Sequence, residues 1–437
     1  MSGIAHALAD KVQVGDAPAP SIRRAALPLA LLSLTLAAGF TALGSFATVQ
    51  EGVKAELGIG DGSLALIGGL GAAVPLALFS IPIGLLVDRY NRVRLLIALA
   101  ACWTLGTLLT AYAGSTATLI LTRMLTGIGA TGALTAALSI GADLCAPTER
   151  GRAMLAMTLG KTLGLAAAFA LVGWLYGLFP NGGFGLTGWR AAHLALASLC
   201  LVCLLPLLLL REPARHEVAA GPGAPFAVLA GELWARRAFL LPLFVGQISV
   251  VMADNASLSW SAPVLQRVWA LRPEQFAGWM GALLLATGLG GAVLGGLAAD
   301  RGQRSGRRGG VLLGALAGAV VGLPAAIFPI AGSVPAFAAL LGVLVLCGTV
   351  TGLITSVALT VLLPNEVRGF AIGLFIAVAG VIGFGVAPAL VVGVSRLLGG
   401  EGHLAPALAI VGLVTGGLAV LAFAQAIRRA PDPIARD

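Results

Sequence analysis

The amino-acid sequence predicts an all-α membrane protein with twelve transmembrane helices in two pseudo-symmetric six-helix bundles. Three observations predict this fold class: an apolar composition, twelve apolar runs of membrane-spanning length, and motifs that recur half a chain apart. Hydrophobic residues make up 58% of the 437 residues and charged residues only 10%, with a mean hydropathy of +0.99. Soluble domains carry about 25% charged residues, so a chain this apolar needs the bilayer as its solvent.

Twelve apolar runs follow one another along the chain, each close to the roughly 20 helical residues that cross a hydrocarbon core. The first six predict spans 1 to 6 at residues 25–47, 63–87, 93–113, 118–142, 154–178 and 191–210. The last six predict spans 7 to 12 at residues 239–258, 276–299, 310–331, 336–362, 370–394 and 404–426. We therefore expect a cytoplasmic N-terminal segment at 1–24, an N-terminal bundle at 25–210, a cytoplasmic linker at 211–238, a C-terminal bundle at 239–427 and a cytoplasmic tail at 428–437.

The net charge of +9 follows membrane topology rather than a nucleic-acid surface. Twenty Lys and Arg residues lie in the terminal segments and in the even-numbered connections between spans. The odd-numbered connections hold five: Lys54, Arg190, Arg267, Arg272 and Arg396. Basic residues collect on the cytoplasmic side of a membrane protein. We therefore expect a multi-pass protein with both termini in the cytoplasm and no nucleic-acid partner.

Two motifs recur at nearly the same offset and predict a duplicated six-helix unit. A Gly-x-x-x-Asp-Arg-x-x-Arg motif ends span 2 at residues 84–92 and recurs after span 8 at residues 296–304. A Pro-x-Glu motif follows span 4 at residues 147–149 and recurs after span 10 at residues 364–366. The offsets are 212 and 217 residues, close to half the chain. Duplicated halves with a site between them are typical of secondary transporters.

The charges of these motifs predict a cytoplasmic gate. A carboxylate at the end of a span can pair with arginines, or with the positive end of a facing helix, in one conformation and release them in another. The alternative is that Asp88 and Asp300 only fix topology and solubility. The predicted gate residues are Asp88, Arg89, Arg92, Asp300, Arg301, Arg304, Glu149, Arg150, Glu366 and Arg368.

The doubled motif and the twelve-span layout resemble the major facilitator superfamily over nearly the whole chain. Within that superfamily the chain looks most like the bacterial Spinster-like transporters, on Trp103 and Thr107 in span 3, Arg123 in span 4 and the run Gly188-Trp189-Arg190 before span 6. The resemblance implies a secondary transporter of the bacterial inner membrane that handles lysophospholipids or other amphipathic organic anions, often with proton coupling. The sequence departs from the pattern in span 4, where Ala130 stands in place of a common glutamate.

Three ionisable side chains lie deep inside predicted spans: Arg123, Lys161 and Asp254. A charge at the bilayer centre costs about 2.5–3.5 kcal/mol on insertion scales, so such groups usually face the bundle interior or a water-filled cavity. One cation can pair with Asp254 and the other remains for a ligand, which predicts an anionic substrate. Two structural alternatives stay open: Arg123 capped by backbone carbonyls, and a static ion pair between Lys161 and Asp254.

Polar neighbours complete the predicted substrate or coupling site. Gln247, Asp254, Ser257 and Ser261 share one face of span 7, which predicts the wall of a cavity with Asp254 as its protonatable group. The largely aliphatic surroundings favour an amphipathic ligand over a sugar. Besides the three charges, the predicted site residues are Gln247, Asn255, Ser257, Thr126 and Thr162.

The sequence thus predicts a secondary active transporter that moves a small anionic, amphipathic solute, lysophospholipid-like or an organic carboxylate, by alternating access. A polyspecific drug/proton antiporter and, from a different class, an uncoupled lipid scramblase are the alternatives. The four histidines and five cysteines show no metal-ligand spacing, and the sequence contains no catalytic triad or Walker loop. We therefore expect no enzyme activity, no metal and no cofactor beyond a proton or ion gradient, and a monomer in the lipid bilayer.

Overall fold

The computed structural model describes residues 22–146, 149–214, 226–363 and 365–431. Within this part of the chain, twelve helices are long and apolar enough to cross a membrane, and the predicted all-α fold is confirmed. Residues 1–21, 147–148, 215–225, 364 and 432–437 lie outside the described residues, so Pro147 and Pro364 of the recurring motif are not described, and neither is the side chain of Glu366.

Because the number of described spans is even, the start of span 1 and the end of span 12 lie at one end of the molecule, called here the terminal end. The opposite end, which holds the odd-numbered connections, is called the far end. The even-numbered connections meet at the terminal end, where Arg308 donates to the Ala430 carbonyl and Arg92 bonds Glu212. In chain order the spans are Ala25–Leu57, Asp61–Arg89, Arg92–Tyr112, Thr116–Asp143, Arg150–Leu178, Gly188–Leu209, Arg237–Trp269, Pro273–Arg304, Gly310–Ile330, Val334–Leu362, Phe370–Leu397 and Glu401–Arg429.

Spans 1 and 7 extend further than their apolar runs predict. Span 1 consists of two helices, Ile22–Gly44 and Phe46–Leu57, which meet at Ser45. Its second helix and the last turns of span 7 carry charged residues, so their mean hydropathy is too low for the sequence to predict them as part of a span. They remain helical because ion pairs at the far end compensate those charges. A short helix, Phe226–Ala235, also lies within the predicted linker.

The two bundles meet along two seams, span 2 against span 11 and span 5 against span 8. Small residues let the helices approach closely, as is common in membranes. A Cβ at Gly173 of span 5 would overlap Ala277 of span 8, and a Cβ at Gly69 of span 2 would lie 3.0 Å from the Phe384 carbonyl. Phe384 belongs to a π-helix, Val381–Val386, between the helices Asn365–Gly380 and Ala387–Leu397 of span 11.

The hydrophobic core is continuous between the bundles at the far end but divided at the terminal end. One cluster of buried residues draws on both bundles and includes Phe46, Trp189, Trp260 and Phe276. A second cluster holds residues of the C-terminal bundle and the short helix before it, for example Phe239 and Leu359. Among the described residues, the terminal-end core of the C-terminal bundle is thus separate from that of its partner bundle.

Candidate functional site

A network of ion pairs joins the two bundles at the far end. Arg267, near the end of span 7, binds Asp61 at the start of span 2 through two hydrogen bonds of 2.6 and 2.7 Å. The same guanidinium donates to Glu51 of span 1 at 2.6 and 3.1 Å. Arg267 of the C-terminal bundle therefore holds two carboxylates of the N-terminal bundle.

Asp61 is the centre of this far-end network. Its side chain, only 1% exposed, also accepts from Lys54 at 2.7 Å. Glu401 of span 12 pairs with Lys54 and accepts from the Asp61 backbone N–H at 2.7 Å. Charge-assisted hydrogen bonds of this kind are about twice as strong as neutral ones. The far-end network thus closes this side of the molecule with contacts from spans 1, 2, 7 and 12.

Sequence reasoning missed this network, counting Lys54 and Arg267 only as cations of odd-numbered connections. One available signal was the cluster Glu51, Lys54 and Asp61, charges within 11 residues at the edge of two apolar runs. Charges in such a place need partners, but the sequence does not say which. Their main partner, Arg267, follows more than 200 residues later.

Lys161 lies midway along span 5, between the two bundles. Its neighbour Gly160 packs against span 1. Its other neighbour, Thr162, packs against Gly288 of span 8, so closely that a Cβ at Gly288 would lie 2.6 Å from the Thr162 methyl group. Lys161 is on the opposite side of the helix from Leu163 and Trp174, which are 46% and 57% exposed. The lysine therefore faces the space between span 1 and span 8.

Lys161 has an aromatic neighbour and no carboxylate partner among the described residues. Its ammonium lies 5.5 Å from the centroid of the Phe40 ring of span 1, within the range of a cation–π interaction. The static Lys161–Asp254 ion pair that the sequence left open does not occur in this structure. Among the described residues, no carboxylate neutralises the Lys161 ammonium inside its span.

Asp254 lies near the middle of span 7, on the opposite side of the helix from the exposed Leu241 and Val245. Its carboxylate touches Gly348 of span 10 so closely that a Cβ there would overlap it. Oxygen Oδ1 is buried and has no hydrogen-bond partner among the described residues. A buried polar atom without a hydrogen bond lowers the stability of a fold, and most buried polar atoms in proteins are bonded, so this one calls for an explanation beyond packing.

Arg123 occupies a different position from the other two charges. It is 4% exposed, donates to the Ala42 carbonyl at 2.9 Å and also bonds the Leu43 carbonyl, at the point where span 1 is interrupted. The ring of Phe46 lies 5.7 Å from its guanidinium carbon. This geometry agrees with the structural alternative, a cation capped by carbonyls. A role in substrate binding stays a prediction.

The polar stripe of span 7 packs inside its own bundle rather than along an open wall. Gln247 is 2% exposed and accepts a 3.0 Å bond from Thr355 of span 10, and Ser257 and Ser261 are buried as well. Asn255 donates to the Val251 carbonyl at 2.9 Å. Within the described part of the chain, Asp254 is the one residue of this stripe with a buried oxygen that lacks a hydrogen-bond partner.

The threonines of the predicted site also bond within their own helices. Thr126 is buried against Gly106 of span 3 and bonds the Thr122 carbonyl at 3.1 Å. Thr162 bonds the Thr158 carbonyl at 2.9 Å while contacting span 8. Of these two, Thr162 lies at the seam between the bundles.

The predicted gate residues lie at the terminal end, and the contacts of Arg92 stay within the N-terminal bundle and the start of the linker. Arg92, 2% exposed, bonds Glu212 at 2.7 Å, Asp143, and the Pro213 carbonyl at 3.1 Å. Arg150 donates to the Ala142 carbonyl at 3.2 Å, and Arg368 to Leu363 at 3.4 Å. Exposed side chains are Asp88, Arg89, Asp300, Arg301 and Arg304, while Glu149 is half-buried. Their action as a gate stays a prediction.

Comparison with known proteins places this architecture among transporters. The profile of the Major Facilitator Superfamily matches residues 29–388. The 3-(3-hydroxy-phenyl)propionate transporter of Escherichia coli is 30% identical over 224 residues, which is 49% of this chain and 50% of that protein, so the match spans about half its length. The probable 4-methylmuconolactone transporter of Cupriavidus pinatubonensis is 27% identical over 397 residues, 86% of each chain.

A solved structure shares the fold over almost the whole chain. It is a bacterial homologue of the human lysosomal transporter Spinster, in an inward-facing and unoccupied conformation, with a TM-score of 0.79. The match covers 94% of this chain and 98% of that one at 22% sequence identity. The predicted likeness to this fold is confirmed.

Proposed function

The chain belongs to the Major Facilitator Superfamily, and on this premise we propose that it carries a small amphipathic organic carboxylate across the membrane by alternating access. Lys161 binds the carboxylate of the substrate, and Asp254 takes up and releases the coupling proton. The single observation that carries this proposal is a lysine midway along span 5 that faces the space between the two bundles and has no carboxylate partner in the described ranges.

The surroundings of Lys161 favour a carboxylate with an apolar or aromatic body. Phe40 offers a ring face beside the cation, and the helices around it present mostly aliphatic side chains. Ligand sites of this kind combine an apolar lining with a few well-placed polar groups. The E. coli relative is named for an aromatic carboxylate, which supports an organic acid over a lysophospholipid.

We infer that the protein alternates between this far-end-closed state and one closed at the terminal end. The far-end network and the core that both bundles share at the far end support closure on that side. The separate core of the C-terminal bundle at the terminal end supports separation of the two bundles there. The excess of basic residues in even-numbered connections supports a cytoplasmic terminal end. The state described here is then inward-facing.

Proton coupling rests on Asp254. Because no described residue bonds its Oδ1, the carboxyl group can exchange a proton without first breaking an ion pair. Ionisable residues inside membrane proteins commonly serve as proton relays. Lys161 and Asp254 come from different bundles, so the movement that carries substrate also changes the separation of these two charges.

Uptake into proteoliposomes tests the proposal, with labelled 3-phenylpropionate and labelled lysophosphatidylcholine, each with and without a pH gradient. We expect carboxylate uptake that a gradient accelerates and that unlabelled carboxylate inhibits. Lys161→Ala should weaken substrate binding by about tenfold or more, whereas Lys161→Arg keeps part of it, since the loss is that of one buried charge-assisted contact. Asp254→Asn should bind substrate but lose the response to the gradient.

Other results would remove parts of the proposal. Equal uptake with and without the gradient contradicts proton coupling, and unchanged affinity in Lys161→Ala removes that lysine from the substrate site. Transport of a cationic dye that depends on Asp254 and not on Lys161 would favour a drug/proton antiporter. Lipid movement that persists in Asp254→Asn without any gradient would favour a scramblase.

A further inference from the structure

A groove runs along the outer face of the C-terminal bundle at the terminal end, between the start of span 7 and the end of span 12. Its volume is about 580 Å³. The wall is apolar and includes Leu241, Val245, Leu418 and Leu421. Arg237 and Arg429 stand at its rim, where both helices reach the end of the membrane-spanning region.

The two arginines carry charge that the described residues do not neutralise. Arg237 lies 5.2 Å from the ring centroid of Trp234 and donates to the Trp234 carbonyl at 2.9 Å, but neither it nor Arg429 forms an ion pair with any described carboxylate. The adjacent Arg236, by contrast, is paired with Glu232. The rim thus presents two guanidinium groups that are available to an anion.

The wall of the groove is open to the surroundings. Leu421 is 71% exposed, Leu241 53% and Leu418 46%, and on the outer face of a membrane protein such side chains meet acyl chains. Trp234, 65% exposed, lies at the same end, and tryptophan is enriched where membrane meets water. The depth of the arginines is therefore that of lipid phosphates.

We propose that this groove binds one anionic phospholipid of the terminal-end leaflet, with its phosphate between Arg237 and Arg429 and an acyl chain along the leucines. Charge complementarity identifies the occupant: two guanidinium groups bind a phosphate, and the aliphatic wall below them accepts a chain. Basic pockets between transmembrane helices bind anionic head groups in this way. The site lies outside the proposed transport pathway, because Asp254 is on the opposite side of span 7 from Leu241 and Val245.

Native mass spectrometry of the detergent-purified protein tests the site, by titration with phosphatidylglycerol and separately with phosphatidylcholine. The double variant Arg237→Gln/Arg429→Gln should bind phosphatidylglycerol about thirtyfold more weakly, a change of about 2 kcal/mol for two arginines near the lipid surface. Phosphatidylcholine binding should change little, and glycerol phosphate without acyl chains should not compete.

Arg428→Gln is the matched control, because Arg428 precedes Arg429 on the same exposed helix end but does not line the groove. It should keep phosphatidylglycerol affinity within about twofold, since rim charges away from a site contribute little. An equal loss in Arg428→Gln and in the single variant Arg429→Gln would overturn the proposal in favour of diffuse surface charge. Undiminished phosphatidylglycerol binding in the double variant would overturn it as well.

Discussion

Replacing Asp61 by asparagine should open the far end. The substitution keeps the size of the side chain but removes the charge that binds Arg267 of the other bundle and Lys54 of its own. When the two bundles separate at the far end, the contact between Asp61 and Arg267 is broken because these residues belong to different bundles. Lys54 and Asp61 belong to the same bundle, so their contact is kept. The variant therefore destabilises the far-end-closed state relative to the far-end-open one.

The free energy by which Asp61→Asn destabilises the far-end-closed state follows from the contacts between Asp61 and Arg267. Asp61 is 1% exposed and Arg267 22%, so solvent screens the pair only partly. A hydrogen bond to a charged group contributes about 1.5–3 kcal/mol, and asparagine keeps one acceptor oxygen, so we take a loss of about 2 kcal/mol. That energy shifts the ratio of the two states about thirtyfold towards far-end opening. Glu51 still holds Arg267, which keeps the shift from being larger.

Pulsed electron–electron double resonance measures the shift directly. Spin labels at Tyr112 and Leu397, 59% and 88% exposed, report the far-end separation of the two bundles. The five native cysteines are first replaced by alanine, so that the labels attach only at these positions. We expect one short distance in the parent protein and an added longer distance in Asp61→Asn.

Glu56→Gln provides a matched control at the same end of the molecule. Glu56 is also a far-end carboxylate, bound to Arg190 at 2.7 Å and to Trp189 at 2.5 Å, but both partners belong to its own bundle. This variant should leave the distance distribution unchanged. If Glu56→Gln shifts it as much as Asp61→Asn does, or if Asp61→Asn leaves it unchanged, the far-end network does not set the conformation.

Two further predictions concern glycines. Gly348→Ala should lower uptake by about tenfold or more, because the new Cβ must displace the Asp254 carboxylate. Gly278→Ala is the control, since open space surrounds that residue, and it should leave uptake unchanged. Equal uptake by the two variants would contradict the importance of the contact between Gly348 and Asp254. Gly160→Ala should lower the unfolding temperature, because its Cβ would overlap the backbone of span 1 at a cost of about 1–3 kcal/mol. Gly151→Ala on the same helix meets open space and should leave the unfolding temperature unchanged. A thermal-shift assay compares the pair, and equal midpoints would refute the packing argument.

Hydropathy predicted the twelve spans because a bilayer acts on each helix locally, through the composition of about 20 consecutive residues. The same reasoning ended span 7 at residue 258, although the helix continues to Trp269. Serines, a proline, a glutamine and Arg267 lower the apolar content of those last turns. Their helix is stabilised by contacts with span 1 and span 2, which no local window contains.

The candidate site was predicted in part, for a related reason. The cost of burying a charge singled out Lys161 and Asp254 from the sequence alone. The partners of Arg123 are backbone carbonyls of span 1, and backbone groups leave no mark in a sequence. The spacing in the sequence predicts that the polar stripe of span 7 lies on one face, but which helix covers Gln247 on that face depends on tertiary packing, here span 10.

The π-helix of span 11 divides that span into two segments with different neighbours. Residues Ala387–Leu397 hold the far end, where Arg396 lies beside Gly62 of span 2, whereas Asn365–Gly380 runs to the terminal end. A π-turn carries one residue more than an α-helical turn, so its conversion to α geometry would rotate one segment by about 100° against the other and shift it by about 1.5 Å. Such a conversion would turn the terminal-end segment of span 11 while the far-end segment keeps its contact with span 2.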